Sequence, residues 1–297
     1  MVDDSKLIGL IAGNGRLPHL FAEAARQQGL EVVAVGHLGE TDPQLGSRVR
    51  SLSWVRLAQI DRIVRILREA GVTRAVMAGG ISRIRAFTEA RPDKGAVRIA
   101  LRLRSFRDDS LLRAVADYFQ RAGVQIVSPT DFLTNLLVPA GHLAGPGLEA
   151  GQRKDIALGI EVAQLLGRAD VGQTVVVKNG HVLAMEAIEG TNETIRRAGK
   201  LGGPGAVVVK FSKPQQDPRF DLPTVGPGTL EAMEESGAKV LAVEAGRTLI
   251  LEGEQVYARA QRQGVTLLGV VNSQRSIDSG TMGEGVSAEG DPACPLP

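Results

Sequence analysis

The sequence has one cysteine, few aromatic residues and no long hydrophobic run. Its 297 residues include one Trp, two Tyr and seven Phe, which is little aromatic surface for stacking nucleic-acid bases. Lys and Arg total 35 against 33 Asp and Glu, so no strong positive field draws in a phosphate backbone. We therefore expect no nucleic-acid partner.

The lone Cys294 excludes an internal disulfide and a cysteine-based metal site. The four histidines are scattered and lack the spacing of a zinc motif. The N-terminus is acidic and leads into a short apolar run at 7–12, about half the length that spans a membrane. We expect a cytoplasmic protein, and contact with a membrane surface stays open.

Strand-like apolar runs alternate with helical patterns in the first part of the chain. Such alternation predicts βαβ units and a parallel sheet. We therefore predict an α/β protein that begins with a Rossmann-like domain at 1–132. The patterns predict strands at 7–12, 31–35, 73–78 and 124–127 and helices at 17–28, 61–70 and 111–122.

The rest of the chain predicts a second domain of mixed α/β type. Residues 133–150 are rich in Gly and Pro and indicate a linker. Helices and strands, with a hairpin turned at Asn179-Gly180, follow over 151–271. Residues 272–297 show almost no apolar periodicity, so we expect a disordered tail.

Two glycine turns follow predicted strands of the first domain. Carboxyl ends of parallel strands meet at one sheet edge, where ligands bind, and the start of a helix favours an anion such as a diphosphate. The alternative is a turn that only packs helix on strand. NAD is disfavoured, because Pro18 replaces the third glycine of its motif and the second strand ends in Gly36-His37 rather than an acidic residue. The candidate binding residues are Gly13, Asn14, Gly15 and Leu17, and Gly79, Gly80 and Ile81.

Residues 95–107 alternate apolar side chains with arginines. As a helix, the segment would be basic and amphipathic, which is typical of a segment lying on anionic lipid. An ordinary surface helix is the alternative.

Two polar segments of the second domain are candidates for chemistry. The junction from Glu186 to Glu193 could hold a phosphate or metal ion, or could only cap a helix, and its candidates are Glu189, Gly190 and Thr191. The loop at 213–226 has three prolines and a glycine, which exclude regular helix or central strand. Its carboxylates and cations suit phosphate chemistry, although a solvated surface loop is the alternative. Its candidates are Lys213, Gln216, Asp217, Arg219 and Asp221.

Four stretches, in order, resemble one family: IAGNGRLP, MAGGISR, MEAIEGTNETIRRAG and KPQQDPRFDLPTVGPGT. That family is the LpxI-type UDP-2,3-diacylglucosamine pyrophosphatases of Gram-negative lipid A synthesis. The resemblance implies hydrolysis of the diphosphate bond of UDP-2,3-diacylglucosamine to 2,3-diacylglucosamine 1-phosphate and UMP, by water attack on the phosphorus nearer the sugar. It also implies Mg²⁺ or another divalent cation and two domains that close around the substrate. The family's essential Asp, in its Arg-x-Asp-hydrophobic-Pro motif, corresponds to Asp221.

On this hypothesis Asp221 binds the metal or orients the water, and Arg219 and Lys213 neutralise phosphoryl oxygens. Asp217, as a second metal ligand, or Glu189 supplies another carboxylate. The glycine turns and Gln216 would contact the polar part of the substrate, and the basic segment would contact the cytoplasmic face of the inner membrane. Two alternatives are an ATP-grasp-like nucleotide-dependent ligase and a non-catalytic protein that binds nucleotide sugars or lipids.

Overall fold

The computed structural model describes residues 6–82, 90–103, 108–220 and 222–272. Contacts between Cα atoms divide the chain into a first unit, Met1–Asn135 with Gln216–Leu222, and a second unit, Leu136–Gln215 with Pro223–Pro297. The sequence patterns place residues 216–222 in the second domain. The structure instead assigns them to the first unit.

The first unit contains a five-stranded parallel sheet. Its strands are β1 (Leu7–Ala12), β2 (Glu31–His37), β3 (Ser51–Val55), β4 (Arg74–Ala78) and β5 (Gln125–Val127). They lie in the order β3-β2-β1-β4-β5. This order places β1 in the middle, and all of its residues are buried because they are small or apolar. The predicted Rossmann-like sheet is therefore confirmed.

Helices connect these strands. Their apolar faces build one core with the sheet, in which Phe119, Leu67 and Ile63 are nearly inaccessible to solvent. The α-helices are α1 (Leu17–Gln27), α2 (Ile60–Glu69), α3 (Lys94–Arg102) and α4 (Asp108–Arg121), and short 3-10 helices lie at Pro43–Arg48, Pro129–Asp131 and Thr134–Leu136.

The sequence patterns missed β3 and left α3 undecided. The strand β3 lies at the edge of its sheet and reads Ser-Leu-Ser-Trp-Val, so it is only partly buried and lacks a continuous apolar run. The helix α3 begins at the cap Asp93, whose carboxylate accepts from the N–H of Ala96 at 3.0 Å. The predicted basic segment is thus helical to Arg102, and residues 104–107 lie outside the described residues.

The second unit contains a mixed six-stranded sheet. Its strands are β6 (Gly141–Ala144), β7 (Thr174–Lys178), β8 (His181–Met185), β9 (Val207–Lys210), β11 (Val240–Glu244) and β13 (Thr266–Val270), with β10 (Thr224–Val225) and β12 (Leu249–Ile250) forming a separate parallel pair. The sheet has the order β6-β13-β11-β9-β7-β8. The strands β9, β11 and β13 are parallel, and β6, β7 and β8 pair antiparallel with their neighbours.

Two clusters of buried apolar side chains pack against this sheet, and the helices contribute many of these side chains. The predicted mixed α/β class is confirmed. Among the described residues no helix is both long and apolar enough to cross a membrane. The helices are α5 (Ala150–Arg168), α6 (Thr191–Gly202), α7 (Pro227–Ser236) and α8 (Gly253–Gln263).

Two local features qualify the predictions for this unit. The hairpin at Asn179-Gly180 is confirmed: both residues have positive φ, and both N–H groups donate to the carboxylate of Asp155, at 2.8 and 2.7 Å.

The strand β6 lies inside the predicted linker at 133–150. Its partner strand β13 has Gly269 where the chain leading into β6 approaches closely, since a Cβ there would lie 1.9 Å from the carbonyl oxygen of Pro139. The expected tail at 272–297 begins with Asn272, whose Nδ2 donates to Glu244 at 3.2 Å, and residues 273–297 lie outside the described residues.

Candidate functional site

The two predicted glycine turns of the first unit meet at the edge where β1 and β4 end. The N–H of Gly13 donates to Ala78 at 2.8 Å, and that of Asn14 donates to Gly80 at 2.7 Å. A Cβ on Gly13 would lie 2.2 Å from the Gly80 oxygen, and one on Gly79 would lie 2.4 Å from the Asn14 oxygen. The prediction that the turns share an edge is confirmed. Gly13 and Gly79 are needed there for the contact between the two backbones.

Neutral side chains support the first turn from β2. The carbonyl oxygen of Ala12 accepts from Nδ1 of His37 at 2.9 Å and from the hydroxyl of Thr41 at 2.6 Å. Burial lowers the pKa of His37 below its ordinary value, although the hydrogen bond to Ala12 opposes the shift. His37 is therefore a neutral imidazole at pH 7, and it stands where a dinucleotide site would have a carboxylate.

The start of α1 offers an anion few backbone donors. Pro18 has no N–H, and the N–H groups of His19 and Leu20 both donate to the oxygen of Arg16 at 3.1 Å. Gly15, just before it, has φ +83° and open space where a Cβ would stand. Gly15 therefore leaves open space beside this turn.

Other predicted residues at this edge have polar or exposed positions. Nδ2 of Asn14 donates to Glu40 at 2.6 Å, so this amide is held on the side of β2. Gly80 stands against Asn14 as well, since a Cβ on Gly80 would lie 2.9 Å from Oδ1 of that side chain. Leu17 begins α1, and Ile81 is 38% exposed.

In the loop at 216–222 the side chains of Arg219 and Asp217 form a bidentate ion pair. Asp217 accepts from Nε of Arg219 at 3.0 Å, from Nη2 at 2.7 Å and from the backbone N–H at 3.1 Å. These bonds, chiefly that from the Arg219 side chain, lower the pKa of Asp217, and the same pair raises the pKa of Arg219. The guanidinium is thereby fixed in orientation, and its Nη1 makes no hydrogen bond within the part of the chain that the structure describes.

The same loop is fastened to the rest of the first unit. The hydroxyl of Ser128 donates to the oxygen of Pro218 at 2.9 Å. Phe220 packs against the apolar core, and the Arg219 guanidinium lies 4.8 Å from the centre of its ring. Gln216 is buried as well. Asp221, the principal predicted residue, lies outside the described residues.

A metal site needs a different donor set from the one that Asp217 provides. The carboxylate of Asp217 is engaged by Arg219, and Nε of Arg113 lies 4.0 Å away. Within the described ranges no three His, Cys, Asp or Glu side chains come together in a group that could hold a metal ion. The described residues therefore do not form a complete metal site of their own.

The second unit has a buried polar cluster where β9 ends and α6 begins. Nζ of Lys210 donates to the hydroxyl of Thr191 at 2.8 Å, and this hydroxyl donates to Oε1 of Glu186 at 3.1 Å. Lys210 and Glu186 are 5% and 9% exposed, so Thr191 links a buried cation to a buried anion. The hydroxyl of Thr174 is 3.3 Å from that of Thr191 and must donate to it, since the only proton of Thr191 goes to Glu186.

This network limits what the predicted junction residues can do. The Thr191 hydroxyl is occupied as donor and as acceptor, so a ligand would meet the backbone of α6 at this point. Gly190, at the cap of α6, has φ +83° and open space around its Cβ position. Glu189 accepts from Arg197 at 2.6 Å, and hydrogen bonds from its own backbone N–H and from Arg197 lower its pKa.

The start of the polar loop is bonded within the second unit. Nζ of Lys213 donates to Oδ1 of Asp170 at 2.6 Å. The amide of Gln215 donates to the oxygen of Gly167 at 2.7 Å. Ser212 donates its N–H, at 2.9 Å, and its hydroxyl to Oε2 of Glu244.

The sequence patterns missed Lys210, Glu244 and Asp170. Lys210 and Glu244 each end a run of apolar residues that forms a buried strand. A charged residue at the end of such a run is a usable signal, because strand ends in parallel sheets meet at the ligand-binding edge. Asp170 follows the end of α5 and has no such local signal.

Comparison with protein families gives a match to each half of the chain. Residues 7–136 match the LpxI N-terminal domain, and residues 139–268 match the LpxI C-terminal domain. The UDP-2,3-diacylglucosamine pyrophosphatase LpxI of Caulobacter vibrioides is 33% identical over 281 residues, which cover 90% of this chain and 99% of that protein.

Two biotin carboxylase structures show weak similarity to this chain. The biotin carboxylase domain of a thermophilic 2-oxoglutarate carboxylase with ADP is 13% identical, with a TM-score of 0.28 and 58% of this chain covered. The biotin carboxylase subunit of pyruvate carboxylase is 14% identical, with a TM-score of 0.26 and 66% covered. The chain spans 34% and 42% of those two structures. Similarity at this level supports no conclusion about fold or activity.

Proposed function

The chain belongs to the LpxI family, and on that premise we propose that it is a UDP-2,3-diacylglucosamine pyrophosphatase of lipid A biosynthesis. Matches to both LpxI domains and 33% identity to a pyrophosphatase of nearly equal length support the assignment. The structural observation that supports it best is the fixed Arg219, which stands two residues before Asp221 in the motif Arg-Phe-Asp-Leu-Pro.

The reaction breaks one bond between phosphorus and the bridging oxygen of the diphosphate. Water adds to the phosphorus nearer the sugar, the bridging oxygen leaves with UMP, and the other product is 2,3-diacylglucosamine 1-phosphate. Because the diphosphate is anionic, the site must neutralise charge and place the water in line with the leaving oxygen.

Arg219 and Lys213 supply positive charge in this proposal. The carboxylate of Asp217 accepts from Nε and Nη2 of Arg219, and this leaves Nη1 of Arg219 to donate to a phosphoryl oxygen. Asp221 orients the water or binds a divalent cation. The turn at Gly15, the open Gly190 and the buried Gln216 are the proposed contacts for the polar part of the substrate.

Mg²⁺ or another divalent cation is part of the proposal through Asp221. Mg²⁺ is commonly held by one or two carboxylates together with substrate phosphates, so a site of this kind needs no group of three protein ligands. Bound there, the cation would supply charge neutralisation at the diphosphate. Asp217 is a poor second ligand, because Arg219 already occupies its oxygens.

Contact with the inner-membrane surface is proposed for α3. Val97 and Leu101 are 46% and 82% exposed, and they lie one turn apart on a helix that also has Lys94, Arg98 and Arg102. Cations beside exposed apolar side chains suit an anionic lipid surface. Cosedimentation with anionic vesicles, but not with neutral ones, is the expected result, and equal recovery from both would contradict it.

The test is release of UMP from UDP-2,3-diacylglucosamine by the purified protein, with Mg²⁺ and with EDTA. We expect UMP with Mg²⁺ and a strong loss with EDTA. Asp221→Ala should lower kcat by at least about 100-fold, as expected when a group that acts in the transition state is removed, while the melting temperature stays unchanged. Binding of the substrate without UMP release would indicate a non-catalytic binding protein, and product formation only with ATP would indicate a ligase.

A further inference from the structure

The residue that holds Lys213 has an unusual backbone conformation. Asp170 follows the end of α5 with φ +58°, a left-handed conformation that helix ends usually reserve for glycine. Its N–H donates to Gly167 at 3.0 Å, and the next N–H, of Val171, donates to Leu166 at 3.1 Å. This bonding is that of a Schellman helix end, so a glycine would suit the backbone better than the aspartate does.

The side chain of Asp170 forms an ion pair, which a glycine could not form. Oδ1 of Asp170 lies 2.6 Å from Nζ of Lys213, and the two side chains are 7% and 10% exposed. A charge pair this far from solvent is costly to break, because either partner alone would be a buried, unpaired charge. The contact therefore fixes Lys213 to the end of α5.

The backbone packs closely at the same place. A Cβ on Gly167 would lie 2.7 Å from Cδ of Pro214 and 3.0 Å from Cα of Lys213. The oxygen of Gly167 also accepts from the side chain of Gln215 at 2.7 Å. Gly167 in the last turn of α5 and Asp170 just beyond the helix thus hold three consecutive residues, 213–215, at the start of the predicted loop.

We propose that Asp170 is a positioning residue for the reaction: it orients Lys213, the cation that the proposed function assigns to the phosphoryl oxygens. The inference rests on the proposed function. It explains why a position that favours glycine has an aspartate, since backbone strain persists where the side chain serves a purpose. Asp170 itself touches no substrate in this proposal.

Two variants act on the loop start by different means. Asp170→Asn keeps the shape, an acceptor oxygen and tolerance of the left-handed conformation, but removes the charge that holds Lys213. Gly167→Ala changes no charge and pushes against the backbone of Lys213 and Pro214. Glu234→Gln is the matched control, because it removes a carboxylate that pairs with Arg259 elsewhere in the second unit.

Steady-state release of UMP is measured for each variant, together with the melting temperature. We expect Asp170→Asn and Gly167→Ala each to lower kcat about 10-fold, with KM changed less than about 3-fold, because small displacements of reacting groups affect the chemical step more than binding. Glu234→Gln should keep the wild-type kcat. Asp170→Gly, which suits the backbone and lacks the side chain, should lose at least as much activity as Asp170→Asn.

Two results would overturn the positioning role. One is wild-type kcat in Asp170→Asn and in Asp170→Gly. The other is a raised KM at unchanged kcat, which would mean that the pair serves only ground-state binding. If the wild-type protein itself releases no UMP, the proposed function fails instead, and the two failures are thereby distinguished.

Discussion

At the edge where β1 and β4 end, the first unit is held together by backbone and neutral groups, whereas at the edge where β9 and β11 end the second unit is held by buried charged side chains. Gly13 and Gly79 touch through main-chain atoms, and a neutral His37 supports them. Lys210 and Glu244 are almost inaccessible to solvent and hold Thr191 and Ser212. The first edge therefore depends on the absence of side chains, and the second depends on charge balance.

The largest expected effect comes from adding one methyl group to the first edge. In Gly13→Ala the new Cβ would stand 2.2 Å from the oxygen of Gly80, which is backbone and cannot rotate away. We expect the free energy of unfolding, measured in urea, to fall by about 3 kcal/mol. Gly46→Ala, whose Cβ would meet Leu52 at an ordinary 3.6 Å, should change it by less than about 0.5 kcal/mol. A stable Gly13→Ala protein would show that the two turns can separate.

The second edge should respond to loss of charge balance. Lys210→Met leaves Glu186 without the cation that reaches it through Thr191, so we expect a loss of about 2 kcal/mol in the free energy of unfolding. Adding Glu186→Gln to Lys210→Met should restore part of the loss, because the uncompensated charge is then removed. Simple addition of the two single effects would contradict a charge-linked cluster.

The smallest expected effect is a pH dependence confined to the first edge. Burial lowers the pKa of His37 in the folded state, so on acidification the unfolded chain takes up the proton first. Its contribution to stability is complete above about pH 6.5 and is lost below that pH, by at most about 1.4 kcal/mol per pH unit, until the folded pKa is reached. His37→Gln should flatten this slope in urea unfolding at several pH values. The histidines of the second unit, His142 and His181, are exposed. An unchanged slope in His37→Gln would mean that a group other than His37 causes the pH dependence.

The fold was largely predictable from the sequence because most of its elements have strong local signals. The apolar run at 7–12 became β1 without a change of boundary, and Asn179-Gly180 turned its hairpin as expected. Weak signals failed: β3 alternates serine with apolar residues at a sheet edge, and β6 lies among glycines and prolines. In both cases pairing with a neighbouring strand outweighs local preference.

The candidate site was predictable only in part. The glycine turns could be placed at one edge because parallel strands point the same way. The bonding of the turns to each other and the pairing of Lys213 with Asp170 are tertiary contacts that a list of polar residues does not contain. The pairing of Asp217 with Arg219 is local, but it depends on a loop conformation that the residue types alone do not specify. The substrate-contact and metal-ligand roles assigned to these residues stay predictions, and Asp221 rests on the family motif.

The packing of Phe220 against the core of the first unit has a consequence for synthesis of the chain. Phe220 packs against side chains that come much earlier in the sequence. The hydrogen bond from Ser128 to Pro218 likewise joins residues 90 positions apart. A nascent first unit emerging from the ribosome lacks Phe220 until about half of the second unit has been translated. Until then the apolar side chains beneath Phe220 are less completely covered. Dependence on so distant a contact slows folding and favours aggregation of the early product.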